Sequence, residues 1–495
     1  MNSAAGTQNL LETGFNRWLE RLAAILWGLA LLTLPVTSFP YFPFFGPDTQ
    51  VRPLSLYPTL ALFPVLVIQL WRRKIKLWDE SLTPLLVFML IALLASALGA
   101  LYAPLELRGQ TYWGRVLRAW ITLALGLMFF LYAIWMSRSP GQLRSSLRWL
   151  YSGLAISFIW GILQFLSNAT LWVSKAAISR VQDLFTITSS ASWGLRTPGF
   201  ALEPSWLAGQ LACLYLPWLF ASLLNGYRIS RHRWLEFVLL GMACISLILT
   251  YSRGGIALAF AATFLTALLT GREHLLRLWR WWLEPFHRAG SPAKPSGLSW
   301  TVRLGALFLL VAGVGGAFYI LSRSDYFTQL WRSQKTDVVS YIVDIYAGPR
   351  LAYAWAALRA FAAHPWSGVG LGASGFYILR FLPDWSRTMI PETTIYLNPQ
   401  SGAFLNPKNL YARLLAETGV FGFAAFVTFY FYLLGKVRSW LQDKERRLLG
   451  VAGLFTWFAL ALSFFTQDSF AMPSLWVNFG ILLGLAAASR PITDK

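Results

Sequence analysis

Residues 235–270 read LEFVLLGMACISLILTYSRGGIALAFAATFLTALLT. Two apolar runs, 235–251 and 254–270, meet at Tyr251-Ser252-Arg253-Gly254-Gly255. Each run approaches the length that crosses a bilayer core of roughly 30 Å. Between them only a very tight turn fits. Runs of this kind recur along the whole 495-residue chain, which is 56% hydrophobic and only 13% charged. An ordinary soluble domain carries about 25% charged residues. Short alternating strands, the mark of a membrane barrel, are not evident. The chain is therefore expected to be an all-α polytopic membrane protein.

Twelve spans are expected, at 19–38, 54–71, 81–103, 116–136, 146–166, 204–224, 235–251, 254–270, 304–322, 412–434, 448–466 and 474–488. An even number puts both termini on one side. The connectors on that side, with Arg148 at a helix edge, hold 24 of the 42 Lys and Arg residues. This asymmetry predicts cytoplasmic termini. The net charge of +21 then needs no nucleic acid, because topology and lipid headgroups account for it. Residues 1–17 are polar and the first apolar run is long enough to stay as a span, so no cleavable signal peptide is expected. Cys213 and Cys244 both fall in predicted spans, which suits packing residues better than a disulfide or metal site. Segment 271–303, rich in Trp and Arg and then in Pro and Ser, reads as an interfacial helix followed by a linker.

One segment departs from the pattern. Residues 323–410 form a long, mostly polar insertion, which divides the chain into spans one to nine (1–322), an outer loop domain containing helices (323–410) and the last three spans (411–495). The loop holds eight basic and five acidic residues, a net +3 on the side where topology does not favour positive charge. That excess permits an anionic ligand.

Four positions stand out for chemistry. Arg253 lies at a span end, either snorkelling at an interfacial turn or gripping phosphate with its planar fork. Glu203 precedes Pro204 at the start of a span, as an N-terminal capping carboxylate or as one placed to orient or deprotonate a hydroxyl. Arg350 follows Gly348-Pro349 in an amphipathic helix, as a solvated charge or a ligand. His364 precedes Pro365 and ends that helix, with a catalytic role as the alternative. Gly368, Gly370 and Gly372 resemble a phosphate-binding fingerprint only loosely, since no βαβ pattern surrounds them. A tight turn that lets helices pack fits them better. No H-E-x-x-H, Walker loop or paired outer carboxylates are present, so neither a metal nor any other cofactor is expected.

Taken in order, Ser252-Arg253-Gly254-Gly255, Arg350 with Trp355, His364-Pro365-x-x-Gly368-x-Gly370-x-Gly372 and Lys408-Asn409-Leu410-Tyr411…Glu417-Thr418-Gly419 resemble the O-antigen ligase and Wzy-type O-antigen polymerase superfamily. The resemblance covers roughly residues 200–434. It implies a GT-C-like, metal-independent glycosyltransferase that uses undecaprenyl-diphosphate-linked oligosaccharide at the periplasmic face of the bacterial inner membrane. It implies that Arg253 and Arg350 contact the diphosphate; Arg196, Ser252, Asn409 and His364 are further supporting candidates. In the family the last motif usually begins His-Asn, and the ligases use that histidine in catalysis; here the position is Lys408. A protonated lysine suits a phosphate or leaving-group contact better than a general base. The Phe200-x-x-Glu203-Pro204-Ser205-x-x-Ala208 segment resembles one common in polysaccharide polymerases. The leading expectation is a polymerase joining lipid-linked repeat units, with Glu203 and Lys408 as catalytic candidates, in contact with membrane lipids and with a chain-length regulator as a further partner. The alternatives are an O-antigen ligase that transfers glycan to lipid A core or protein and, in another class, a lipid-linked sugar transporter.

Overall fold

The computed structural model describes residues 2–42, 49–72, 80–104, 106–169, 173–187, 193–287 and 297–487. Residues 288–296 of the expected 271–303 helix and linker segment, and the last eight residues, lie outside these ranges. The architecture is helical. Among the described residues the only strands are Glu106–Leu107 and Gln110–Thr111, a two-residue antiparallel pair. They are joined by Arg108 and Gly109, both with positive φ, as a tight hairpin turn requires.

Among the described residues six helices are long and apolar enough to cross a membrane: Tyr112–Met136, Pro140–Ala169, Pro204–Asn225, Arg253–Thr270, Trp300–Ser322 and Leu410–Gln442. Shorter apolar helices occupy Leu56–Trp71, Thr83–Gly99, Trp234–Leu249, Arg447–Ser463 and Pro473–Ala486. Together with Asn2–Leu32, a helix therefore stands at each segment expected to span. The chain is a helical membrane protein. Trp300–Ser322 is almost bare, with Phe308, Leu309, Leu310 and Phe318 all exposed, as a helix facing lipid would be. Cys213 is buried and Cys244 exposed, and the two are not joined.

The bundle holds together by satisfying backbone groups internally, since lipid offers no partners. Pro217 illustrates this. It lacks the N–H that would reach the Cys213 carbonyl four residues back, and the helix widens into a π turn over Leu211–Tyr215. The Asn478 side chain repairs the defect: its Nδ2 donates to the Cys213 carbonyl at 2.8 Å, and its Oδ1 accepts the Trp218 indole N–H at 2.9 Å.

Above the bundle, residues 325–401 form short helices, of which Gly348–Ala363 is the longest. This layer is anchored at a break in a membrane helix. Leu410–Gln442 is interrupted at Gly419, where φ is +64° and ψ −170°. In an unbroken helix the carbonyls of Ala416 and Glu417 would accept amides four residues on. Instead they accept the amides of Val369 at 2.8 Å and Gly370 at 2.9 Å, and the released Val420 amide donates to the Pro365 carbonyl at 2.9 Å. Gly368 has φ +65°, and a Cβ there would lie 2.5 Å from the Glu417 and Thr418 backbone. The glycine run is thus a backbone-packing turn.

A Cβ at Gly419 would lie 2.2 Å from the Trp366 carbonyl oxygen. Gly419→Ala is predicted to cost about 2 kcal/mol or more through strain and lost packing. Gly435→Ala, where a Cβ meets nothing within 4 Å, serves as the control. Thermal unfolding in detergent should show a lower midpoint for the first variant and an unchanged or slightly raised midpoint for the second.

Candidate active site

Helix starts build the site. Glu203 is the N-cap of the Pro204–Gln210 helix. Ser252 caps Arg253–Thr270, its hydroxyl accepting the Gly255 amide at 3.2 Å. Arg350 sits in the first turn of Gly348–Ala363. Asn409 caps Leu410–Gln442, its Oδ1 accepting the Ala412 amide at 2.9 Å. Ser252 and Asn409 therefore act through the helices they cap. Helix N-termini carry partial positive charge and favour anions. Among the described residues, four non-glycine positions have positive φ. Three of them, Tyr251, Tyr346 and Lys408, stand directly ahead of these helices. Left-handed backbone at such residues is strained and concentrates at ligand sites.

The fold gathers Arg196, Arg253, Arg350 and Glu203, with Tyr326 among them. The loop before Glu203 is pinned from several directions. The Thr197 amide donates to the Leu249 carbonyl at 2.9 Å, and the Leu202 amide to the Thr37 hydroxyl at 2.9 Å. The side chain of Gln164 bonds both the amide and the carbonyl of Gly199 at 3.0 Å. The guanidinium carbon of Arg253 lies 3.8 Å from the Tyr326 ring centre and that of Arg196 lies 4.4 Å from the same centre. Burial lowers the Arg196 pKa from its ordinary value. Arg253 and Arg350 push the same way, while Tyr326 and Glu203 oppose them. Both terminal nitrogens of Arg253, Nη1 and Nη2, are buried and have no hydrogen-bond partner among the described residues. An unpaired buried donor costs about 1–3 kcal/mol.

A second group adjoins the first. Tyr353 lies one helical turn beyond Arg350, so the two share a face. Its hydroxyl donates to Glu392 Oε1 at 3.3 Å, and Lys408 Nζ donates to the same oxygen at 2.8 Å. Glu392 and Lys408 line a cavity of about 600 Å³, together with Gln110, Arg118, Trp206 and Gln467. That volume falls in the range of small-molecule sites. The Lys408 amide donates to Asp468 Oδ2 at 2.9 Å, and burial raises the Asp468 pKa above its ordinary value. Deeper in the wall, Glu417 is fully engaged. Its Oε2 accepts the Gly372 amide at 2.7 Å and Arg413 Nε at 3.0 Å, and its Oε1 accepts the Ser374 hydroxyl at 2.8 Å.

His364 lies elsewhere. It ends the helix that Arg350 begins, about 21 Å further along the axis, and its ring stacks on Tyr102 at 4.2 Å. Sequence reasoning passed over Tyr326, Glu392 and Asp468. Asp468 had a signal, as the lone acid between two apolar runs. Tyr326 and Glu392 lie in short helices with no pattern of their own.

The fold and the site define a helical membrane protein with a basic cluster beside a polar cavity at one end of its bundle. Residues 237–427 match the family model described as O-antigen ligase, Wzy_C. This match supports the O-antigen ligase and Wzy-type superfamily for residues 237–427. Members are glycosyltransferase-like enzymes that act on lipid-linked glycans, and the match indicates a ligase- or polymerase-type function. It spans Arg253, Tyr326, Arg350, Glu392 and Lys408, and excludes Arg196, Glu203 and Asp468. No curated protein matches the chain.

The buried Arg413–Glu417 pair supports the cavity wall. Glu417→Gln removes the carboxylate that pairs with the buried Arg413 and leaves Asp468 as its charged neighbour, and losing one partner of a buried pair costs about 3–5 kcal/mol. The variant is predicted to unfold at a clearly lower temperature in detergent, whereas Glu445→Gln at the exposed end of the bundle leaves the midpoint unchanged.

Proposed function

We propose that this protein is a polysaccharide polymerase that joins undecaprenyl-diphosphate-linked repeat units at the periplasmic face of a bacterial inner membrane. It crosses that membrane twelve times in a GT-C-like arrangement, with 323–410 as its outer domain and both termini in the cytoplasm. The observation that carries this assignment is the pair of buried, unpartnered Arg253 nitrogens within a three-arginine cluster. A diphosphate supplies the acceptor oxygens those donors lack and the negative charge that relieves the mutual repulsion of Arg196, Arg253 and Arg350.

The chemistry follows from the leaving group. The lipid diphosphate departs from the glycosyl donor as the anomeric C–O bond breaks, and charge develops on the phosphate oxygens. Guanidinium donors already aimed at that charge stabilise the transition state without reorganising, and do so with no metal. Arg253 and Arg350 are assigned to the diphosphate and Lys408 to a further leaving-group contact. Glu203 is assigned to orienting the acceptor hydroxyl at the rim of the same cluster. Trp206 and Tyr396 on the cavity wall offer ring faces for sugar.

Ligation to a lipid A core or to protein is the second reading, favoured by the family description itself. Lys408 in place of the ligases' histidine, and the segment around Glu203, favour polymerisation.

In membranes that supply endogenous lipid-linked glycan, Arg253→Ala is predicted to reduce glycosyl transfer about 100-fold or more. Arg253→Lys retains the charge without the fork and should fall between this variant and the wild type. Product analysis separates the two readings, since a polymerase lengthens the lipid-linked glycan and a ligase moves it to another acceptor. Normal product from a well-expressed Arg253→Ala protein would refute the diphosphate assignment.

A further inference from the structure

Four carboxylates stand near the arginine cluster and the cavity, and their surroundings differ. Glu417 has both oxygens occupied by the Gly372 amide, the Ser374 hydroxyl and Arg413. Asp468 is buried and already accepts the Lys408 amide. Glu203 already accepts the Ser205 hydroxyl at 2.8 Å and stands beside the Arg196 guanidinium. Glu392 is different. Its side chain is 33% exposed and it lines the cavity. One oxygen, Oε1, carries both of its hydrogen bonds, from Lys408 Nζ and the Tyr353 hydroxyl. Oε2 makes no hydrogen bond among the described residues.

We propose that Glu392 is the catalytic residue that accepts the proton of the acceptor hydroxyl, with Lys408 as the positioning cation that fixes its carboxylate. This rests on the glycosyl-transfer function given above. The acceptor oxygen forms a bond to the anomeric carbon. The bond from that carbon to the diphosphate oxygen breaks, and its electron pair leaves with the diphosphate. The hydroxyl proton passes to Glu392 Oε2 and then to solvent through the open cavity. Glu392 lies in the first turn of the Pro391–Leu397 helix. Lys408 reaches it from the strained residue just before Leu410–Gln442, and Tyr353 from the helix that carries Arg350. Burial, assisted by the Glu392 charge, pushes the Tyr353 pKa up, so that side chain remains a phenol and donates. The other charged and titratable groups facing Glu392 are Tyr396 and, around the cavity, Arg115, Arg118, Arg413, Glu417 and Asp468. The geometry gives Lys408 a task that does not require it to lose its proton.

The test compares the wild type with Glu392→Gln, Glu392→Asp, Lys408→Met and Arg253→Ala in membrane vesicles that hold endogenous lipid-linked glycan. Initial rates are measured across a range of pH, and the diphosphate lipid that co-purifies with each protein is quantified. Glu392→Gln should lose about 10²–10⁴-fold in rate while keeping the bound lipid. The wild-type rate should fall on the acid side as the carboxylate protonates, and this limb should vanish from the residual activity of Glu392→Gln. Glu392→Asp should recover part of the rate, and Lys408→Met should shift the acid limb upward. A Glu392→Gln rate within a few-fold of wild type, with Arg253→Ala inactive, would overturn the proton assignment and leave the diphosphate assignment standing. Full activity in both variants would overturn both. If Glu392→Gln does not fold, the acid limb of Lys408→Met decides: an unshifted limb refutes the pairing.

Discussion

The exchange of hydrogen bonds at the break in Leu410–Gln442 is the contact on which the outer layer depends. Gly419 takes a conformation that only glycine adopts readily, and the helix gives up its own ladder there. The carbonyls of Ala416 and Glu417 pass to Val369 and Gly370, and the Val420 amide passes to Pro365. A membrane helix is thereby joined to a loop by backbone alone. That joint sets the end of the Gly348–Ala363 helix over the bundle, and so decides where its start brings Arg350. The same break leaves Glu417 facing the Gly372 amide and the Ser374 hydroxyl, which closes the cavity wall.

Electrostatics gives this construction its purpose. Three guanidiniums in one place repel each other, and two of them share a single tyrosine ring. Cation–π contact with Tyr326 returns about 0.5–2 kcal/mol, which does not offset unpaired buried donors on Arg253. The backbone strain at Tyr251, Tyr346 and Lys408 adds to the cost. A fold that concentrates like charge, strain and unmet donors at one end is organised for an anion. The anion proposed for it is the diphosphate of a lipid-linked glycan. In the proposed site Lys408 and Glu392 carry the chemistry on to the polar cavity that they both line.

Much of the architecture was legible in the sequence because membrane helices announce themselves by length and apolarity. The Tyr251–Gly255 turn and the Pro204 helix start were readable for the same reason, since Pro, Gly and Ser mark helix ends. The glycine run was readable as a packing turn because no strand preceded it. Convergence of Arg253 with Arg350 was expected only from the resemblance, as nothing local links residues 97 positions apart. Arg196 joins them through loop contacts to Leu249 and Thr250 that carry no sequence signature. Tyr326 and Glu392 were invisible for a related reason. They sit on short helices placed by contacts with their neighbours. His364 reads in the sequence as a helix end before Pro365, and it stands there as the C-cap of Gly348–Ala363, stacked on Tyr102.

The central claim is that Arg253 and its neighbours hold a diphosphate. The most direct measurement is an experimental structure of the protein in a lipid nanodisc with a lipid diphosphate added. The account predicts phosphate oxygens within hydrogen-bond distance of Arg253 Nη1 and Nη2, with Arg196 and Arg350 on the same group. A diphosphate bound at another place, with those nitrogens contacting only protein or water, would contradict it.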